Sequence, residues 1–119
     1  MAKILIVDDD VQVTTLLDKI LSMAGFDIVV VNDSAQAMSV AASSKPDFFI
    51  LDLMMPQPNG FEICRMIRSD EVFKDTPILI ITASDDYDSK AIAYAAGAND
   101  YITKPFDQDE LPQRISSLL

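Results

Sequence analysis

A chain of 119 residues, half of them hydrophobic, is long enough to bury a core, and its length points to one domain spanning 1–119. The net charge of −10 argues against direct nucleic-acid binding, which relies on basic patches, and favours solubility and attraction of cations. A single cysteine excludes a disulfide framework and fits a reducing cytoplasm, while no apolar run approaches a membrane span and no secretory pattern opens the chain.

Met1-Ala2-Lys3 leads straight into Ile4-Leu5-Ile6-Val7, a short apolar run ending at Asp8 and Asp9. Val13, Leu16, Leu17, Ile20, Leu21 and Ala24 then recur at helical spacing, with Asp9 or Asp10 as N-cap and Gly25 as the stop. Ile28 to Val31 read as a second strand. Ser34 to Ser43 read as an alanine-rich helix, capped by Asp33 or Ser34 and ended by Lys45-Pro46. A third apolar run, Phe48-Phe49-Ile50-Leu51, ends at Asp52. Pro56-Gln57-Pro58-Asn59-Gly60 carries the chain into a helix with Phe61, Cys64 and Ile67. Cys64, set among apolar residues, reads as core packing. Ile78-Leu79-Ile80-Ile81 runs into Thr82, and Ser84-Asp85-Asp86 opens a helix ending near Gly97. Tyr101-Ile102-Thr103 runs into Lys104-Pro105, and a last helix turns Leu111, Ile115 and Leu118 inward. Asp85, Asp86 and Asp88, like Asp107, Asp109 and Glu110, suit the positive end of a helix dipole. Pro112 is the one misfit, and predicts a late start or a kink in the last helix.

Strands alternating with helices across short loops give a parallel sheet covered on both faces. Ligands in such sheets bind beyond the carboxyl ends of the strands. Asp8, Asp9, Asp52, Thr82 and Lys104 all follow a strand, so they are expected at one edge. Two carboxylates about 4 Å apart repel by roughly 4 kcal/mol at an effective dielectric near 20. Three clustered acids therefore call for a cation, and hard oxygen donors favour Mg2+, with Mn2+ or Ca2+ as substitutes.

These motifs resemble the receiver domain of two-component response regulators from residue 3 to residue 118. The resemblance rests on Ile6-Val7-Asp8-Asp9, Leu51-Asp52-Leu53-Met54-Met55-Pro56, Asn59-Gly60, Ile81-Thr82-Ala83 and the run from Gly97 to Phe106. It implies a five-stranded doubly wound sheet of flavodoxin-like order 2-1-3-4-5 with five helices. It further implies Asp52 as phosphoacceptor, with Thr82 and Lys104 holding phosphoryl oxygens. Asp9 would bind the metal directly, Asp8 through water or a hydrogen bond, and the Met54 backbone carbonyl would complete the set with Asp52. Lys104-Pro105 would carry a cis peptide. Tyr101 would be the switch aromatic, its ring swinging into space opened when Thr82 moves. Met54 and Ser84 occupy the positions that tune loss of the phosphoryl group, and Met54, with no group to orient water, predicts slow loss.

The chain has no histidine, so a phosphohistidine donor must be another protein, a histidine kinase or a phosphotransfer protein. Output is expected through the face of the fourth helix, fifth strand and fifth helix, to an unknown output domain or partner or to a phosphorylation-dependent homodimer. On that face Lys90, Asp100, Glu110 and Arg114 are similar to the inter-subunit ion pairs of regulators with winged-helix outputs, Lys90 facing Glu110 and Asp100 facing Arg114. Asn99 departs from the acid often found there. Two other readings compete. Asp8-Asp9-Asp10-Val11-Gln12 resembles the Asp-x-Asp-x-Thr motif of haloacid-dehalogenase-type phosphatases, with Asp8 as nucleophile, but Gln12 replaces the threonine and the chain is short for a cap. A receiver-like module that no longer takes phosphate is the other, and it would not need all five site residues. The chain reads either as a stand-alone regulator or as a piece of a longer one.

Overall fold

In the computed structural model, which describes residues 1–119, the five apolar runs are strands. They are β1 (Lys3–Val7), β2 (Asp27–Val31), β3 (Phe48–Leu51), β4 (Ile78–Thr82) and β5 (Asp100–Thr103). All pair in parallel, in the order β2-β1-β3-β4-β5. Helices α1 (Val11–Met23), α2 (Ala37–Ser44), α3 (Gly60–Ser69) and α4 (Tyr87–Ala96) provide the crossovers, and α5 (Glu110–Leu118) follows the last strand.

Strand residues alternate between two cores because successive side chains leave opposite faces of a sheet. Ile4, Ile6, Phe48, Ile50, Leu79 and Ile81 meet Leu17 and Leu21 of α1 and Leu111 and Ile115 of α5. Leu5, Val7, Phe49, Leu51, Ile78 and Ile80 meet α2, α3 and α4, where Cys64 is buried as expected. The central strands are buried on both faces, which is why they read as unbroken apolar runs.

Local chemistry fixes the helix ends. Asp10, not Asp9, caps α1 by accepting from the Gln12 and Val13 amides, which leaves Asp9 uncommitted. Gly25 follows at φ 99°, and Phe26 N returns to Leu21 O at 3.1 Å, closing the helix. Asn59 and Glu62 form a reciprocal capping box that starts α3 directly after the Asp52 loop. Asp86 caps α4, so Asp85 lies before the helix rather than in its first turn. Asp107 and Asp109 likewise precede α5, and only Glu110 stands in its first turn.

Several expectations are corrected. The Ser34–Ser43 helix is a 3₁₀ turn, Ser34–Gln36, capped by Asp33, followed by α2. Leu16 and Ala24 of the α1 stripe stay exposed, because the buried line runs through Thr14, Leu17 and Leu21. The late start expected at Pro112 is found: α5 begins at Glu110, so proline is its third residue, where an N–H has no intrahelical partner anyway.

Candidate functional site

The carboxyl ends of β1, β3, β4 and β5 bring Asp8, Asp52, Thr82 and Lys104 together at the point where strand order reverses between β1 and β3. Carboxylate oxygens of Asp8, Asp9 and Asp52 lie within 4.8 Å of one another. Asp8 and Asp52 are buried and Asp9 is exposed. Lys104 Nζ bridges the buried pair, 2.9 Å from Asp8 Oδ2 and 3.0 Å from Asp52 Oδ2. The remaining oxygens are also engaged: Asp8 Oδ1 accepts from the Asp10 amide and Asp52 Oδ1 from the Met54 amide, both at 3.0 Å. The Lys104-Pro105 peptide is cis, as expected, and so is Gln57-Pro58.

Burial raises the Asp8 carboxyl above the ordinary carboxylate value. Hydrogen bonds from the Asp10 amide and Lys104 pull it down, the Asp52 charge pushes it up again, and the net direction is upward. Burial pushes the Lys104 ammonium down, but the hydrogen bonds and charges of Asp8 and Asp52 outweigh it, and its pKa ends raised. Both shifts are upward, but the one favours the charged lysine and the other the neutral acid. The lysine is held charged by two acids, whereas Asp8 has one lysine against burial and a second acid. A single ammonium thus leaves a group of three carboxylates short of positive charge. Three hard oxygen donors, one of them open to solvent, form a set that a divalent cation fits.

Thr82 is fully buried, and its hydroxyl has no hydrogen-bond partner. An unsatisfied buried hydroxyl costs about 1–3 kcal/mol. Tyr101, the expected switch aromatic, lies inward, with its hydroxyl donating to the Ser84 carbonyl at 2.6 Å. Lys90 Nζ stands 5.7 Å from the centre of its ring. The charges of the α4-β5-α5 face also find partners of their own. Within this one chain Arg114 grips Asp100 through two bonds of 2.8 and 2.7 Å and Glu110 through one of 2.7 Å.

Three contributors around the site were not expected from the sequence. A Cβ on Gly60 would strike the Asp52 carbonyl and come within 2.8 Å of Leu53 Cα, so this glycine lets α3 start against the Asp52 loop. Asn32 Nδ2 donates to the Asp8 carbonyl at 2.9 Å. The Ser34 hydroxyl donates to the Pro56 carbonyl at 3.0 Å. The Asn59-Gly60 pair was a readable signal for the first. Nothing in the sequence marks the other two, because their partners are backbone carbonyls of distant segments.

A family model described as the response regulator receiver domain matches residues 4–116. The chain is 40% identical over 119 residues to the DNA-binding dual master transcriptional regulator RpaA of Synechocystis, covering all of this chain and 49% of that protein. It is 38% identical over 117 residues to the alkaline phosphatase synthesis transcriptional regulatory protein PhoP of Bacillus subtilis, covering 98% of this chain and 48% of that one. The chain thus spans about half the length of these curated relatives. Among solved structures, chemotaxis protein CheY4 of Vibrio cholerae superposes with a TM-score of 0.94 at 31% identity, covering 100% of this chain and 99% of that one. The BeF3-activated N-terminal receiver domain of Klebsiella pneumoniae RstA gives 0.90 at 33% identity, covering 97% and 96%. With this fold, this strand order and these acids at the switch point, the chain belongs to the CheY-like family of response regulator receiver domains.

Proposed function

We propose that residues 1–119 form one receiver domain that accepts a phosphoryl group on Asp52 and carries the signal as a change of conformation. The observation that carries this reading is the Lys104 ammonium set between Asp8 and Asp52, together with a buried hydroxyl at the end of β4, that of Thr82, which lacks a partner. An acid nucleophile, a fixed positive charge and an unpaired hydroxyl are the parts that phosphoryl transfer requires, since the reaction is mainly positioning and charge neutralisation.

In this reading an Asp52 oxygen forms a bond to phosphorus as the bond to the donor's imidazole nitrogen breaks, giving an acyl phosphate. The donor is a histidine kinase or a phosphotransfer protein, since this chain has no histidine. Lys104 leaves its bond to Asp52 for a phosphoryl oxygen, and Thr82 finds another. Asp8, Asp9, Asp52 and the Met54 carbonyl are the groups that would hold Mg2+. Bound there, the ion would neutralise both the carboxylates and the phosphoryl oxygens. Met54 is exposed and its thioether cannot orient water as a base would, so hydrolysis of the acyl phosphate is slow.

Engagement of Thr82 by the phosphoryl group biases the β4–α4 loop and the Tyr101 ring, and the α4-β5-α5 face reports the state. The face serves an output domain, a partner or a second copy, in the cytoplasm. The internal Arg114 bonds would then be exchanged for inter-subunit ones; the exposed bond to Glu110 is worth about 0–1 kcal/mol, while the bidentate pair with Asp100 is partly buried. Sedimentation with beryllofluoride, a phosphoryl mimic, tests the dimer, which a persistent monomer at high concentration excludes. The phosphoacceptor reading is tested by incubating the chain with Mg2+ and acetyl phosphate: one phosphoryl group is added to the parent and none to Asp52→Asn. An unlabelled parent contradicts it.

A further inference from the structure

The segment just past edge strand β2 reaches into the acidic site. Asn32 Nδ2 donates to two acceptors, the Asp8 backbone carbonyl and Thr14 Oγ1, each at 2.9 Å. Thr14 is buried on α1, and its hydroxyl donates onward to the Val11 carbonyl at 3.1 Å. The Asp8 amide donates in turn to the Val31 carbonyl at 3.1 Å. One side-chain nitrogen therefore ties the end of β1, the start of α1 and the end of β2 together around Asp8. Asn32 is exposed as a residue, yet both of its bonds are partly buried.

The chemistry of the position calls for an amide. A carbonyl must accept here, and the Thr14 hydroxyl has given its proton to Val11. Both partners need a donor, and one NH2 group supplies two. Aspartate has none, and serine has one on too short a stem. The tie also opposes a specific force. Asp8, Asp9 and Asp52 crowd their oxygens within 4.8 Å, and the only ammonium bonded among them bridges Asp8 and Asp52. Repulsion favours opening of the turn that carries Asp8 and Asp9. A bond to the Asp8 carbonyl resists that opening without consuming a carboxylate oxygen.

We propose that Asn32 is a positioning residue of the acidic site, holding the β1–α1 turn so that Asp8 and Asp9 stand against Asp52 before a cation arrives. The inference rests on the reading of these acids as metal ligands. Groups that orient ligands in this way typically change metal affinity by about 10–100-fold when removed, because the site must otherwise be ordered on binding.

The test is Mg2+ titration of the wild-type chain, Asn32→Ala and Thr14→Val, alongside urea unfolding in EDTA and acetyl phosphate labelling. Asn32→Ala is expected to bind Mg2+ about tenfold more weakly and to need correspondingly more Mg2+ for half-maximal labelling, with the rate at saturating Mg2+ little changed. Thr14→Val cuts only the α1 arm of the tie and should retain wild-type Mg2+ affinity, whatever it does to stability. Should Asn32→Ala fail to fold, Asn32→Ser carries the same expectation. Wild-type affinity in a folded Asn32 variant overturns the proposal, and so does an equal loss in Thr14→Val. A wild-type chain that binds Mg2+ but takes no phosphoryl group sinks the phosphoacceptor reading alone, and the titration still decides the role of Asn32.

Discussion

Lys104 Nζ lies 3.0 Å from Asp52 Oδ2, across 52 residues of sequence. The same nitrogen serves Asp8, so it offsets repulsion between two buried acids. Lys104→Met keeps the apolar stem and removes the charge. In EDTA this variant should unfold at lower urea, with a loss of about 1–3 kcal/mol for the two charge-assisted bonds. Added Mg2+ should recover part of that loss, since a cation answers the same repulsion. An unchanged midpoint in EDTA would show that the bridge contributes nothing to the resting protein.

The orphan hydroxyl of Thr82 makes a prediction with the opposite sign. Thr82→Val keeps the shape and removes a buried polar atom that has no partner. The variant should be more stable than its parent by about 1 kcal/mol. Its response to phosphorylation or beryllofluoride, read as a shift in the Tyr101 environment, should be weakened. A less stable Thr82→Val would mean that the hydroxyl is satisfied in solution and is not held in reserve for a phosphoryl oxygen.

Burial raises the Cys64 thiol from 9.0 to about 11, against the milder pull of Arg68 and Arg65. The folded chain therefore holds this proton where the unfolded chain has released it. The stabilisation is fully present below pH 9 and is lost as pH rises through about 11. A two-unit shift corresponds to roughly 2–3 kcal/mol. The difference in unfolding free energy between the parent and Cys64→Ala should shrink by that order across this window, because the other titrating groups cancel. A difference that stays constant with pH would place the thiol in contact with water.

The sheet was legible because burial on both faces writes itself as apolar runs. Phe48–Leu51 lies between two aspartates, and its boundaries in the fold are those of the run. Asp8, Asp9, Asp52, Thr82 and Lys104 were legible for a related reason. Each ends a strand, and parallel strands deliver their ends to one edge. Arg68 shows what was not legible. In sequence it is an ordinary helix cation, yet its guanidinium bonds the carbonyls of Gly97, Lys74 and Thr76 and Asn99 Oδ1 at 2.8–3.0 Å. Asn32 was hidden in the same way, since an acceptor on the backbone of residue 8 leaves no mark on side-chain chemistry. Arg114 fell between the two. Asp100 was read as its charge complement and Glu110, expected to face Lys90, was not; nor can periodicity say whether such partners lie in one chain or across two.

Peptide mapping of the modified residue tests the central claim most directly. The chain is incubated with Mg2+ and acetyl phosphate, trapped before hydrolysis, digested, and the site of the acyl phosphate located by mass. The label should lie on Asp52 alone, with none on the peptide that carries Asp8, Asp9 and Asp10. A label on Asp8, or one that persists in Asp52→Asn, would contradict the account and restore the phosphatase-like reading of the first strand's acids.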